Sequence, residues 1–415
     1  MNYLNWENIY LDELKGVNRK KHLQKIKIIK YLYVHGSKSN ADLCLRLKIS
    51  SPTSLGLIGE LIEEGLVEKQ GKGKSIGGRK PDLFGLKNNS LFVLGIEMGK
   101  YKTKMSIFNN NNENITDIKT FPPELDNGIS TVDLLFEQAT QLIKSSGIDP
   151  LKLIGIGINM PGLVDSKKGI NYTYLNFGEK SVREILEKKF NRPVYIENDA
   201  KAVALAEHRF GLAKGKKDAL VIFLDWGIGL GIIQDGKLYR GTSGFAGEFS
   251  HIPFIENGHL CRCGKKGCLE TIASGAALAR MVKEDIGSGK TSLLMNLADI
   301  DLEKIEIETV VDAANKGDQY AIHLLSEIGM NLGKGIALLI QLFNPEIIIL
   351  GGRVAEAKEY LTTPIQQSLN IYCMSQLREN TSIVISELGQ KVGIMGAVAM
   401  VMENIFEDYI RTTTK

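Results

Sequence analysis

Residues Ala219–Gly241 read ALVIFLDWGIGLGIIQDGKLYRG. An apolar run, an acidic residue, one further residue and a glycine lead into a second apolar run and an Asp-Gly turn, which predicts two strands joined tightly. The same order occurs earlier in LFVLGIEMG (Leu91–Gly99), followed by KTKMSIFN (Lys102–Asn109), an Asn-rich turn at Asn109–Asn112 and NITDIKTF (Asn114–Phe121). Glu97-Met98-Gly99 and Asp225-Trp226-Gly227 are the corresponding points. Between the two copies the pattern predicts a helix over Thr131–Ser145, a buried strand LIGIGIN (Leu153–Asn159), a helix over Val182–Lys189 and a short strand VYIE (Val194–Glu197). A strand-rich α/β unit that occurs twice predicts two similar lobes with a ligand cleft between them.

The chain has 415 residues, enough for two or three cores. No apolar run approaches the roughly 20 residues of a membrane span. The start MNYLNWENIYLDELK lacks the basic opening and apolar centre of a signal peptide, so a cytoplasmic location is expected. Five cysteines, with Cys44 and Cys373 far from the other three, do not make a secreted disulfide framework. Charge is unevenly spread: residues 1–87 carry 16 Lys+Arg against 9 Asp+Glu, leaving 35 against 39 for the rest. A polyanion partner is therefore expected at the N-terminal part.

In that part, Leu23–Tyr33 predicts a helix, GSKSNADLCLRLK a turn with a cap at Ser39 or Asn40 and a second helix, and SPTSLGLIGELIEEGLV a third. Ser51 is the expected cap of the third, with Pro52 at its first position, Leu57, Ile58, Leu61, Ile62 and Leu66 on one face, and Gly65 at its end. Two strands, Leu66–Lys69 and Leu83–Leu86, then flank the basic loop GKGKSIGGRKP. The result is a winged helix-turn-helix. Ser51, Thr53, Ser54 and Gly56 are its candidates for the groove, and Lys72, Lys74, Arg79 and Lys80 for phosphates.

Two sites of chemistry stand out in the body. Asn198 and Asp199 end a short strand and start a helix, where α/β folds place ligands, and together they offer a donor and several acceptors, although the same pair also suits a plain helix cap. The second is the cysteine cluster. Cys261, Cys263 and Cys268 with one imidazole complete a closed tetrahedral set for structural zinc. Spacing leaves His251 and His259 as rival fourth ligands. Gly264 and Gly267 suit the tight turn, and Lys265 and Lys266 can offset thiolate charge.

The chain resembles the ROK family of repressors, open reading frames and kinases. The likeness rests on the SPTSLGLIGELIEEGLV helix followed by GGRKP, then on MPGLVD (Met160–Asp165), ENDA (Glu197–Ala200), the cysteine cluster and NPEIIILGG (Asn344–Gly352), in that order. The resemblance implies an N-terminal winged helix-turn-helix (1–88) followed by a two-lobed, actin-like sugar-kinase fold. Its first lobe is 89–200, completed by a C-terminal helix at about 390–415, and its second is 201–389 with a zinc loop at 251–268. It favours His251 as the metal ligand and implies that Asn198, Asp199, Glu248, His251 and Glu270 bind a sugar, with Gly162 and Asn176 lining the same pocket. Basic residues often stand in this family at the positions of Ser51 and Gly56.

In ROK kinases the aspartate matching Asp199 is the general base. Those kinases show Asp-x-Gly-Gly-Thr at the first phosphate loop and Gly-Thr-Gly at the second, where this chain has EMGKYK, with Lys100 and Tyr101, and DWG. The resemblance thus implies a sugar-responsive DNA-binding regulator, not an enzyme. The alternative is an ATP-dependent sugar kinase. The expected partners are operator DNA, a monosaccharide or sugar phosphate of the xylose, glucose or N-acetylglucosamine type, and a second copy in a homodimer or dimer of dimers. The glycine-spaced segment SEIGMNLGKGIALLIQLFN (Ser326–Asn344) predicts a tightly packed helix.

Overall fold

The structure is a computed structural model and describes residues 16–74, 80–122, 128–287, 292, 294 and 306–414. The chain forms two compact units, Met1–Glu197 with Ala397–Lys415, and Asn198–Gly396. Among the described residues no helix is long and apolar enough to cross a membrane.

The first unit opens with α1 (Gly16–His35), β1 (Lys38–Ser39), α2 (Asn40–Leu47), α3 (Ser51–Glu63), β2 (Val67–Lys72) and β3 (Asp82–Leu86), the strands pairing in the order β1-β3-β2. Ser39 caps α2 in a reciprocal box with Asp42. The cap of α3 is Ser50, one residue before the expected Ser51, because its hydroxyl accepts from the Thr53 amide and Pro52 still falls in the first turn. Gly65, at φ +72°, turns the chain out of the helix. Ile26, Ile29, Leu32, Leu43, Leu57, Ile58 and Leu61 form the core, whereas Ile62 is exposed and departs from the expected stripe. The buried Lys25 ammonium reaches Glu60 at 2.8 Å and Glu64 at 2.5 Å, tying α1 to α3.

The rest of the unit holds β4 (Phe92–Met98), β5 (Thr103–Asn109), β6 (Lys119–Phe121), α4 (Ile129–Ser146), β7 (Leu153–Met160), β8 (Val164–Asp165), β9 (Ile170–Asn171), α5 (Val182–Phe190) and β10 (Val194–Asn198). Its main sheet runs β10-β7-β4-β5-β6. Of NITDIKTF only Lys119–Phe121 is strand. The Thr116 hydroxyl instead accepts from the Ile107 amide and meets the Ser106 hydroxyl at 2.9 Å.

The second unit contains α6 (Asp199–Phe210), β11 (Ala219–Leu224), β12 (Ile228–Gln234), β13 (Lys237–Leu238), α7 (Glu270–Ala273), α8 (Gly275–Gly287), α9 (Ile307–Asn315), α10 (Gln319–Phe343), β14 (Ile347–Gly351), α11 (Glu359–Tyr372), α12 (Ser375–Arg378) and β15 (Ser382–Ile385), before α13 (Val392–Thr414). Its sheet order, β13-β12-β11-β14-β15, repeats the first. In each sheet the opening strand is central, its next neighbour in sequence lies antiparallel on one side, and a later strand runs parallel on the other. The duplicated sequence pattern is thus a duplicated topology. The glycines of α10 serve intrachain packing: a Cβ at Gly329 would lie 2.7 Å from the Leu361 oxygen, and one at Gly333 2.5 Å from the Ser368 Cβ. On the same helix Leu338 and Leu342 are exposed.

Candidate functional site

The site is organised on β12, whose entry GIGLG alternates glycine with apolar residues and so leaves one face bare. A Cβ at Gly229 would lie 2.3 Å from the Ala200 Cβ, and one at Gly231 2.3 Å from the Ala204 Cβ. Helix α6 therefore rests on backbone alone, which brings its first residue, Asp199, to the strand. At Gly227 the neighbours are Glu270 Oε2, at 3.0 Å from an added Cβ, and Arg262 Nη2, at 3.4 Å. Gly247 adopts φ +96° and packs against the Leu230 carbonyl, which carries Glu248 to the same strand. Four loci distant in sequence thus meet on a five-residue stretch.

Asn198 caps α6, its side-chain oxygen accepting from the Lys201 amide at 3.3 Å. Its amide donates to Asp199 Oδ1 at 2.9 Å, and the Ala200 N–H donates to the same oxygen at 2.8 Å. Among the described residues no donor reaches Asp199 Oδ2. Burial pushes the Asp199 carboxyl up to about 6, helped by Asp225 and Glu248, while the Ala200 bond and the Arg262 charge act against that rise. Glu270, at the start of α7, is nearly buried and pairs with Arg262 Nε at 3.2 Å.

Next to these carboxylates, one ligand atom each from His251, Cys261, Cys263 and Cys268 lies within 4.8 Å of all the others. Cys261 Sγ is 3.5 Å from His251 Nδ1, and Cys263 Sγ is 3.6 Å from Cys268 Sγ. Those edges suit a tetrahedral ion with metal–sulfur bonds of about 2.3 Å, whose sulfur–sulfur edge is about 3.8 Å. The four donors can therefore hold a metal ion. His259 is exposed and outside the group. Gly267, at φ +71°, makes the turn possible, since a Cβ there would overlap the Ile255 carbonyl at 1.8 Å. His251 Nε2 lies 3.9 Å from Glu248 Oε2, so one imidazole links the metal set to a site carboxylate.

At the β11–β12 turn, Asp225 is already engaged. Its Oδ1 accepts from the Trp226 amide at 2.7 Å, and Arg353 clasps both its oxygens while also holding Glu308. The paired charges hold Arg353 well above its ordinary pKa even though burial works against its charge.

Known proteins resemble this chain over most of its length. Residues 93–404 match the ROK family, and residues 23–68 match a winged helix-turn-helix DNA-binding family. The chain belongs to the ROK family. It is 30% identical over 393 residues to the xylose repressor of Caldicellulosiruptor bescii, covering 94% of this chain and 98% of that one. A solved ROK family transcriptional regulator, described as a homolog of the Escherichia coli MLC protein, superposes with a TM-score of 0.78 at 26% identity, over 95% of this chain and 99% of its own. A ROK family glucokinase from Streptomyces griseus superposes with a TM-score of 0.64 at 30% identity, over 74% of this chain and 97% of its own.

Not every residue proposed for the ROK sugar site falls in one unit. Asn198, Asp199, Glu248, His251 and Glu270 belong to the second unit, Gly162 and Asn176 to the first. The Asn176 amide serves its own turn, donating to the Tyr172 carbonyl and accepting from the Gly178 amide. A neighbour missed in the sequence, Asn171, is buried and holds the MPGLVD loop by donating to the Pro161 carbonyl at 3.1 Å. Arg262 and Arg353 were also missed: neither carries a motif signal, and only the fold brings them to carboxylates.

On the winged helix-turn-helix of this ROK chain, Ser51, Thr53 and Gly56 are exposed. Ser54 is fully buried, because the helical period turns it to the core side with Leu57 and Ile58, so it is withdrawn as a groove contact. Lys74 and Lys80 are exposed, and Lys72 pairs with Asp82 at 2.8 Å. Arg79 lies outside the described residues.

Proposed function

We propose that this chain is a sugar-responsive transcriptional regulator that works in the cytoplasm. It binds operator DNA through Ser51, Thr53, Gly56 and the wing lysines, and a monosaccharide or derivative through Asn198, Asp199, Glu248, His251 and Glu270. One observation carries the reading. A set of oxygen acceptors converges on the start of β12 in a chain that also matches a winged helix-turn-helix and is similar to a protein named as a xylose repressor. The metal is proposed to be zinc, since three thiolates and one imidazole form a closed set that needs no water ligand. Its role is to brace the loop so that Glu248 and Glu270 keep their places. Half-site recognition calls for a dimer; the exposed Leu338 and Leu342 of α10 offer apolar surface for one.

The chain is proposed not to be an enzyme. Support comes from Asp225, which places a carboxylate where a kinase of this family would cradle phosphate and which Arg353 already holds. A kinase reading retains one favourable observation: the raised Asp199 carboxyl, near 6, suits a general base. Two experiments decide. A thermal-shift screen over xylose, glucose, N-acetylglucosamine and their phosphates should raise the melting temperature with at least one compound, and that compound should change salt-sensitive binding to the chain's own upstream DNA. Incubation with ATP, magnesium and the same sugars should release no ADP above background; sustained turnover overturns the non-enzyme reading.

A further inference from the structure

The metal loop carries a side chain that the metal does not need. Arg262 sits between two thiolate ligands, at a position where neither a ligand nor a turn glycine is required. Its backbone must be there, but its side chain is free to vary. The side chain turns back over the start of β12, with Nε 3.2 Å from Glu270 Oε1 and Nη2 facing Gly227.

The manner of that contact is informative. An arginine that served only to neutralise Glu270 would present two nitrogens to its two oxygens, the fork-to-fork pairing that guanidinium and carboxylate prefer. Arg353 does that with Asp225. Arg262 instead meets Glu270 through Nε, and among the described residues neither of its terminal nitrogens donates to a protein acceptor. The side chain is 56% exposed, so its Nη1–Nη2 edge is accessible.

Charge around it points to what that edge receives. Asp199, Glu248 and Glu270 are all acidic, while the metal loop carries Lys265 and Lys266 beside its thiolates. Asp225 is already matched by Arg353. A ligand with an anionic group would be repelled by those three carboxylates, whereas at Arg262 a planar fork fits a phosphate or carboxylate.

We propose that Arg262 is a specificity-determining residue that pairs with an anionic substituent on an effector whose hydroxyls are taken by Asp199, Glu248 and Glu270. The proposal rests on the sugar-binding reading and adds the chemical class of the ligand. Sugar binding alone would place no demand on residue 262.

Calorimetric titration of the full-length, metal-loaded protein tests it with matched probes: glucose against glucose 6-phosphate and glucuronate, N-acetylglucosamine against its 6-phosphate, and inorganic phosphate alone. At least one charged sugar is expected to bind about tenfold or more tightly than its neutral parent, the scale of one charge-assisted contact. Arg262→Gln should bring the two within about twofold, and Arg262→Lys, which keeps the charge but loses the fork, should fall between. Zinc content and melting temperature without sugar should match the parent in both variants; if Arg262→Gln loses metal, the Arg262→Lys comparison carries the test. Neutral and charged sugars binding equally, or a preference that survives Arg262→Gln, overturns the role of Arg262 and leaves the sugar reading standing. Inorganic phosphate competing as well as the sugar phosphate also overturns it. No binding by any probe overturns both.

Discussion

Arg353 and Asp225 hold each other edge to edge, Nε 2.8 Å from Oδ2 and Nη2 2.5 Å from Oδ1, while Nη1 of the same guanidinium takes Glu308 at 2.9 Å. One cation thus joins the β11–β12 turn, the first turn of α9 and the loop after β14. Arg353→Ala should leave two partly buried carboxylates facing each other and destabilise the protein by about 1–3 kcal/mol. Urea denaturation at neutral pH measures the loss. Arg353→Lys should recover only part of it, because an ammonium cannot span the four carboxylate oxygens that the guanidinium reaches. Full recovery by lysine would show that charge, not geometry, holds the turn.

Much of this fold is legible in the sequence. The repeated strand–acid–glycine pattern anticipated two sheets of one topology, and the cysteine spacing anticipated a metal set, since both follow from local periodicity and ligand chemistry. Arg353 was not legible. It follows a Gly-Gly pair and meets a residue 128 positions away, a relation that no local pattern encodes. Ser54 was misjudged for a different reason: a small polar residue at a helix start reads as exposed, and only packing shows which face it takes. The cap of α3 moved from Ser51 to Ser50 because two adjacent serines carry equal propensity and the backbone chooses between them.

Asp199 predicts a pH dependence with a definite sign. Its folded-state pKa of about 6 lies above the ordinary carboxylate value of about 3.9, so the folded state holds a proton that the unfolded state releases earlier. This group's contribution to stability is complete below about pH 4 and is lost as the pH rises through about 6. Asp199→Asn should flatten that limb and raise stability at pH 8, without ligand, by about 1–2 kcal/mol. The same variant should lose sugar affinity. Denaturation midpoints at pH 5 and pH 8 check the first claim and titration with a bound sugar the second; a parent profile that is flat between them rejects the assignment.

Metal removal should act on the loop and on the ligand together. Elemental analysis should find close to one zinc per chain, falling sharply in Cys263→Ser. Chelation should lower the melting temperature by several degrees, since binding energy at a closed site contributes directly to folding. Sugar affinity should fall in parallel, because Glu248 and Glu270 flank the ligands. A protein that keeps full sugar affinity without metal would separate the two roles.

Salt dependence of DNA binding should distinguish the wing lysines. Lys74→Ala and Lys80→Ala should each reduce the slope of log K against log salt by about 1, the signature of one lost phosphate contact. Lys72→Ala should reduce it less, because Asp82 already holds that ammonium at 2.8 Å. Ser54→Ala should leave the slope unchanged and be neutral or mildly stabilising, since its buried hydroxyl has no hydrogen-bond partner among the described residues. Parallel losses for all three lysines would place Lys72 on the DNA after all.

The alternating glycines of β12 have a consequence for how such a protein can change its ligand. Gly227, Gly229 and Gly231 offer no side chain to replace, and an added methyl at Gly229 or Gly231 would collide with α6. The seat of α6 at Gly229 and Gly231 is thus closed to substitution and carries no record of which sugar is bound. Selectivity has to be written at the rim, at positions such as residue 262 where the metal loop tolerates any side chain. A library randomised at the rim should yield altered effectors, whereas one randomised at Gly229 and Gly231 should yield destabilised protein.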